Sequence, residues 1–221
     1  MDVRESKETL DLSLLVYDQW LRQVFEHPAG SDAVGGNWYW EHEWALADPP
    51  ALLGHLTRLC AELSTATDRY SASQINQGIW FLLGACIDVP ALLIDPAIPL
   101  DCRERCIAAM PGVFSGYVAS YPADLPIENG FFMWFDLVAS AVTDMPEGTE
   151  KEHLADAVLR AIEKVLAIDD VRCQAAALHG VGHLSHPRRR AVVEKWVSRH
   201  RADLDEAGAA WVRQCRDGTV M

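Results

Sequence analysis

Residues 169–187, DDVRCQAAALHGVGHLSHP, decide the fold that this sequence predicts. Two aspartates open the stretch, and an acidic side chain there caps a helix and stabilises its positive end. Small residues fill the middle, where a second helix can approach closely, and a proline closes the stretch. The pattern predicts a tightly packed helix over residues 170–185.

Apolar residues keep helical spacing through the rest of the chain. Asp48 with Pro49 predicts a helix start, and Ser71 with Gln74 has the spacing of a capping box. Pro111 should end or kink a helix. We expect a glycine-containing loop over 29–37 and helices over 10–24, 49–67, 71–86, 100–110, 111–121, 128–143, 150–167, 170–185, 187–200 and 204–216.

Strand signals are nearly absent, because no stretch alternates apolar and polar residues between turn dipeptides. The sequence therefore predicts an all-α protein in which about nine to eleven helices form antiparallel hairpins joined by short loops. We expect residues 1–221 to form a single domain.

A narrow polar stripe runs along three of the expected helices. The residues in each stripe are separated by seven and then four positions, and successive stripes lie 52 and 43 residues apart. The stripes are Gln77, Gly84 and Asp88; Asn129, Asp136 and Ser140; Arg172, His179 and His183. The separations of 52 and 43 residues between successive stripes are close to the length of one helix-pair repeat.

The segment Asp170-Val171-Arg172, the alanine run after it and residues 181–184 resemble the second helix of a HEAT repeat. The resemblance implies a short α-solenoid of stacked helix hairpins, in which one helix of each pair lines a concave binding face. Such a face would carry the stripe residues, and Gln77, Asn129, Asp136, Arg172, His179 and His183 are therefore candidate binding residues.

The chain is acidic: among 221 residues, 32 Asp and Glu stand against 19 Lys and Arg, giving a net charge of −13. Phosphate backbones would be repelled, so we expect no nucleic-acid partner. The run Arg188-Arg189-Arg190 is interpreted as the solvated first turn of a helix. The charge favours a protein partner with a basic surface.

Six cysteines occur without a CxxC pair, and several occupy apolar helix positions, which is typical of free thiols in a reducing cytoplasm. The first ten residues lack the apolar core of a signal peptide, and the most apolar segment, 78–87, is too short to span a membrane. We expect a cytoplasmic protein that is neither secreted nor membrane-bound.

His179 and His183 lie one helical turn apart, and His186 follows them. Two imidazoles on one helix face could share a zinc ion. However, the glutamate of an HExxH motif is missing, so packing against a neighbouring helix is the favoured interpretation and a metal site is the alternative. No cofactor is predicted.

Asp136 lies in an apolar run, where a buried carboxylate needs a partner. If the striped helices stack in order, Asp136 would meet His179 as a structural ion pair or, alternatively, as an acid/base dyad. The pair would raise the pKa of His179 and lower that of Asp136.

The segment 38–47 holds Trp38, Trp40 and Trp44. Tryptophans are enriched at binding interfaces, and they could equally cap the open end of a helical array. Both interpretations remain open.

The sequence thus predicts a non-enzymatic, HEAT-like protein that binds another protein. Residues 177–187, ALHGVGHLSHP, also resemble stretches in uncharacterised bacterial helical proteins linked to immunity against polymorphic toxins. That resemblance implies a toxin-neutralising role. The alternative is a metal-dependent or acid/base enzyme that uses Asp136, His179 and His183.

Overall fold

A computed structural model of the protein describes residues 9–29, 38–84, 86–122 and 124–221. Helix dominates these residues, which confirms the all-α class. The α-helices are α1 Tyr17–Phe25, α2 Pro49–Ala66, α3 Ala72–Leu83, α4 Val89–Ile94, α5 Leu100–Ala109, α6 Pro111–Gly116, α7 Asn129–Phe132, α8 Trp134–Thr143, α9 Thr149–Leu166, α10 Val171–His183, α11 Arg189–His200 and α12 Glu206–Asp217.

Two short strands, β1 (Thr9–Asp11) and β2 (Glu43–Ala45), pair in parallel, with Leu10 opposite Trp44. The prediction of a helix from residue 10 is therefore wrong for its first turns. The Asp11 carboxylate accepts hydrogen bonds from Ser13 and from the backbone N–H of Ala47, which holds the chain in an extended path. A 3₁₀ turn follows over Leu12–Leu14, and further 3₁₀ turns cover Trp38–Trp40, Val118–Ser120 and Arg201–Asp203. Most of the expected loop over 29–37 lies outside the described residues.

The predicted helix starts are confirmed. The Asp48 side chain accepts from the N–H of Ala51 at the start of α2. Ser71 and Gln74 form the complete capping box of α3. The Asp170 carboxylate accepts from two N–H groups in the first turn of α10. In each case a short polar side chain satisfies backbone donors that the helix leaves without partners.

Several expected helices are shorter or interrupted. Helix α3 ends at Leu83, where Gly84 is extended, and Asp88 has a left-handed backbone with φ 55° before α4. Gly84 and Asp88 therefore do not continue the polar stripe of α3. Met133, at φ −82° and ψ −4°, separates α7 from α8. The helix expected to reach residue 121 ends at Gly116.

Contacts between helices follow two rows. One row runs through α2, then α5 with α6, then α9 and α11. The other runs through α1, then α3 with α4, then α7 with α8, then α10 and α12. The chain alternates between the rows, so each helix packs against its partner in sequence and against the next helix of its own row. This order brings the striped helices α3, α7 with α8, and α10 together.

Helix α10 lies in the densest part of the core. Leu178, Val181 and Leu184 are buried. Arg188 and Arg190 are exposed, as predicted, whereas Arg189 between them is half-buried. A Cβ atom on Gly182 would lie 2.4 Å from Val220 Cγ1 and 3.1 Å from the Cα of Cys215. The expectation that Gly182 permits close approach of another helix is confirmed.

All six cysteines are free thiols. Burial raises the pKa of Cys106, Cys173 and Cys215 to about 12, so these side chains pack as small apolar groups. In the described ranges, no helix combines the length and the apolar character that a membrane crossing requires.

Candidate functional site

The contact between α8 and α10 places three titratable side chains together. His183 Nδ1 lies 3.3 Å from Asp136 Oδ1, and His183 Nε2 lies 3.4 Å from His179 Nε2. The three residues form a connected cluster, which we call the Asp–His–His cluster. The predicted meeting of the striped helices is confirmed, but the imidazole at ion-pair distance from Asp136 is His183, one turn beyond His179.

The cluster is held by hydroxyl groups on α8. Ser140 Oγ donates to Asp136 Oδ1 at 3.1 Å. Thr143 Oγ1 donates to the backbone carbonyl of His183 and accepts from the N–H of Ser185, which fixes the end of α10 against α8. Thr143 is not among the predicted site residues. Its position, seven residues after Asp136, is the signal that would have found it.

His179 is the most buried member, with 3% of its surface exposed. Its ring stacks on Phe132 with a centroid distance of 4.6 Å. Burial lowers the pKa of His179, and this effect outweighs the nearby Asp136 carboxylate, which raises it. The predicted rise in this pKa is therefore wrong, because desolvation of the imidazolium exceeds the attraction of the carboxylate.

The distances link the three side chains in one order. His183 Nδ1 faces the Asp136 carboxylate at ion-pair distance, and His183 Nε2 shares one hydrogen bond with His179 Nε2, whose direction depends on the tautomers of the two rings. The cluster is thus a carboxylate–imidazole–imidazole chain. Residues of this kind can orient one another, pass a proton or bind a metal ion.

Arg172 has a structural role. It is 8% exposed, and its guanidinium donates to the Asp170 carboxylate and to four backbone carbonyls, those of Val118, Tyr121, Pro122 and Leu125. These bonds fasten the start of α10 to the turn after α6. Every guanidinium nitrogen is engaged within the chain, which favours a structural role for Arg172 over contact with a partner.

The other stripe residues lie apart from the cluster. Gln77 is half-buried on α3, and Asn129 is exposed at the start of α7. Between them, Asn76 Oδ1 accepts from the N–H of Gly130 at 2.9 Å, and Gln74 Nε2 donates to the carbonyl of His27. The amides at the start of α3 therefore cap and connect helices.

The aromatic segment 38–47 packs against Phe81 of α3 and against His27, which follows α1. Trp38 is buried, and it stacks on His27 at 3.5 Å and contacts Phe81 at 4.7 Å. Trp44 is half-buried, its ring lies 4.7 Å from that of Phe81, and its Nε1 donates to the Tyr39 carbonyl. Burial lowers the pKa of His27. Trp38 and Trp44 therefore form a covering layer.

Trp40 differs from the other two tryptophans. It is 56% exposed, and Glu41 and Glu43, which follow it, are also exposed. Leu14 and Val16, which follow β1, are exposed apolar residues at the opposite end of the same small sheet. We call Leu14, Val16, Trp40, Glu41 and Glu43 the sheet surface.

Comparison of the chain with protein-family models, with curated proteins and with solved structures gives no match. Assignment of a function therefore depends on the geometry of the Asp–His–His cluster and the sheet surface.

Proposed function

We propose that this chain is a non-enzymatic interaction protein that binds a basic protein through the sheet surface. The observation that supports the proposal is a difference in exposure among the three tryptophans of the aromatic segment. Trp38 and Trp44 anchor it to the core, while Trp40 is left 56% exposed among acidic side chains.

An exposed tryptophan is an effective binding anchor, because it buries a large area while few rotatable bonds become ordered. Leu14 and Val16 add exposed apolar area beyond the end of β1. A protein interface of ordinary size covers about 800 Å² on each partner, enough to span so small a sheet. The rigid attachment of Trp44 to Phe81 holds this surface in place before a partner arrives.

Charge favours a basic partner. Glu41 and Glu43 lie beside Trp40, and the whole chain carries a net charge of −13. Acidic residues around an apolar anchor speed association with a positively charged surface and disfavour acidic partners. We therefore expect binding that weakens as the salt concentration rises.

The scaffold in this proposal is a HEAT-like α-solenoid. Its support is the alternation of the helices between two rows, with contacts from each helix to the next in its row. In an array of this kind the terminal unit needs a covering layer, and Trp38 with Trp44 supply it at the α1 end. The solenoid would present the sheet surface at one end of the array.

Neutralisation of a basic bacterial toxin is the cellular role that we propose for this binding. It combines the acidic charge with the resemblance of residues 177–187 to immunity-linked bacterial proteins. An acidic binding protein can cover the basic substrate site of a nuclease and block it. The toxin would then be the partner that the sheet surface contacts.

The test is affinity capture from the native organism with the wild-type chain, followed by titration of the purified partner. Trp40→Ala should weaken binding by at least about tenfold, the effect of losing an interface anchor worth over 1 kcal/mol. Glu41→Lys with Glu43→Lys should slow association most strongly at low salt. Glu194→Lys, an exposed acidic position on α11, is the matched control and should change binding little.

Equal binding by the wild type, Trp40→Ala and the charge-reversed variant would refute the sheet surface as the contact. Capture of no partner above the background of an unrelated acidic protein would refute the proposed function. A partner with an acidic surface would refute the charge argument.

A further inference from the structure

We propose that the Asp–His–His cluster is a zinc site in which Asp136, His179 and His183 each supply one ligand atom. Each residue offers an atom of the right type, and the three atoms lie within 4.8 Å of one another. This inference goes beyond protein binding, since it assigns a chemical ligand to a part of the molecule remote in sequence from the sheet surface.

The spacing suits a tetrahedral ion. Ligand atoms at about 2.0 Å from zinc are separated by about 3.3 Å along each edge of the tetrahedron. The Nε2 atoms of His179 and His183 lie 3.4 Å apart, close to such an edge. The His183 atom that lies 3.3 Å from Asp136 Oδ1 is Nδ1, so the carboxylate or the His183 ring must turn for Asp136 to reach an ion bound at Nε2. One ligand atom from each of the three residues lies within 4.8 Å of the other two, which sets the size of that movement.

The ligand types select the metal. Two imidazoles and one carboxylate favour zinc and related transition ions over magnesium or calcium, which prefer oxygen ligands alone. Ser140 Oγ donates to the Asp136 carboxylate and would keep that side chain oriented toward the ion. The cluster thus has both the ligands and a hydrogen bond that positions one of them.

Burial suits a metal ligand at this position. His179 is 3% exposed, so an ion bound to its Nε2 would be shielded from solvent on that side. His183, with its side chain 23% exposed, leaves one side of the cluster open to water, which would be the fourth ligand.

The experiment uses the full chain after treatment with a chelator and removal of that chelator. Zinc is titrated against a chromophoric competitor, and bound metal is counted by elemental analysis. We expect one zinc ion per chain and a higher melting temperature with zinc than without it. Cobalt(II), used as a spectroscopic probe, should give the visible absorption of a tetrahedral site.

Single substitutions distinguish zinc binding at the Asp–His–His cluster from zinc binding at other histidines. Asp136→Asn and His183→Gln should each weaken zinc binding by about 100-fold or more, because each removes a ligand. His186→Gln is the matched control. His186 Nε2 lies 3.0 Å from Asp156, so it is another histidine–carboxylate pair, but it lies outside the three-residue cluster.

Absence of stoichiometric zinc or cobalt binding by the wild type would overturn the proposal. So would zinc binding that persists unchanged in Asp136→Asn, a variant of nearly the same shape. Loss of binding in His186→Gln but not in His183→Gln would place the metal elsewhere. The wild-type cobalt spectrum decides the question even where a variant fails to fold.

Discussion

The aromatic segment and the contact between α8 and α10 each stack an imidazole on an aromatic ring, but the surroundings of the two imidazoles differ. His27 stacks on Trp38 at 3.5 Å, inside a layer of further rings. His179 stacks on Phe132 at 4.6 Å, beside glycines and a polar cluster. Desolvation lowers the pKa of both histidines.

The difference between the two regions lies in the space around the backbone. In the aromatic segment the contacts join side chains to side chains. We therefore expect that one ring can shift without moving a helix. At the α8–α10 contact, Gly180 brings two backbones together, since a Cβ there would lie 2.2 Å from Phe135 Cβ and 3.0 Å from its backbone carbon. We therefore expect the α8–α10 contact to tolerate substitution far less than the aromatic segment.

The largest expected effect is that of Gly180→Ala. The added methyl group overlaps Phe135 at the base of its side chain and at its backbone, so α8 and α10 must separate. We expect a loss of about 3 kcal/mol in the free energy of unfolding, at the upper end of the usual cost of overpacking. Urea denaturation provides the measurement.

Gly54→Ala is the control for that measurement. No atom of the described residues lies within 4 Å of a Cβ at Gly54 in α2, so alanine should raise the free energy of unfolding, by up to about 1 kcal/mol. Equal stability of Gly180→Ala and the wild type would remove the contrast between the two regions.

The second prediction compares the loss of stability in two tryptophan variants of the aromatic segment. Trp44→Ala removes ring contacts with Phe81 and a hydrogen bond to Tyr39, so it should lower the free energy of unfolding by about 2 kcal/mol. Trp40→Ala removes an exposed ring and should cost less than about 1 kcal/mol. Thermal unfolding of both variants tests this. A larger loss for Trp40 than for Trp44 would reverse their assigned roles.

The sequence predicts the secondary structure well where side chains act locally. Asp48, Ser71 and Asp170 each cap a helix within three residues of themselves, so their effect is visible in sequence. The local sequence pattern misleads near residue 10, because β1 is held by residues distant in sequence: it pairs with β2, and the N–H of Ala47 donates to the Asp11 carboxylate, 36 residues away.

The same distinction between local and long-range contacts explains which features of the Asp–His–His cluster the sequence predicts. The polar stripes predict that α8 and α10 meet with polar faces together, since helical periodicity sets the face. Which histidine meets Asp136 depends on how far one helix is shifted along the other. Two contacts set that shift: Gly180 packs against Phe135, and Thr143 donates a hydrogen bond to the backbone at the end of α10. The spacing of polar residues within the stripes does not predict these contacts. The sequence therefore predicts the cluster but not its internal pairing.

The third prediction tests that pairing in metal-free protein. A double-mutant cycle of Asp136→Asn with His183→Gln should give a coupling energy of about 0.5–1 kcal/mol, because these side chains lie 3.3 Å apart. The cycle of Asp136→Asn with His179→Gln should give a smaller coupling, since His179 contacts His183 instead. Stronger coupling through His179 would restore the pairing first predicted from the sequence.

The smallest expected effect is a pH dependence that both regions share. Above the ordinary histidine pKa of 6.5, His27 and His179 are neutral in the folded and the unfolded chain, so neither affects the slope of stability with pH. Below pH 6.5, His27 and His179 take up protons in the unfolded chain but less readily in the folded chain, because burial lowers the pKa of both histidines in the folded state. The free energy of unfolding should therefore fall as the pH drops from 6.5 toward the folded values.

His179→Gln and His27→Gln should each make that fall shallower, and the double variant should make it shallower still. The measurement is urea denaturation with a chelator present, repeated between pH 7 and about 5, above the range in which most carboxylates titrate. Slopes are compared rather than absolute stabilities, since either substitution also changes packing. A steeper fall in His179→Gln would mean that Asp136 outweighs burial at the cluster, while an unchanged slope in His27→Gln alone would confine the effect to α10.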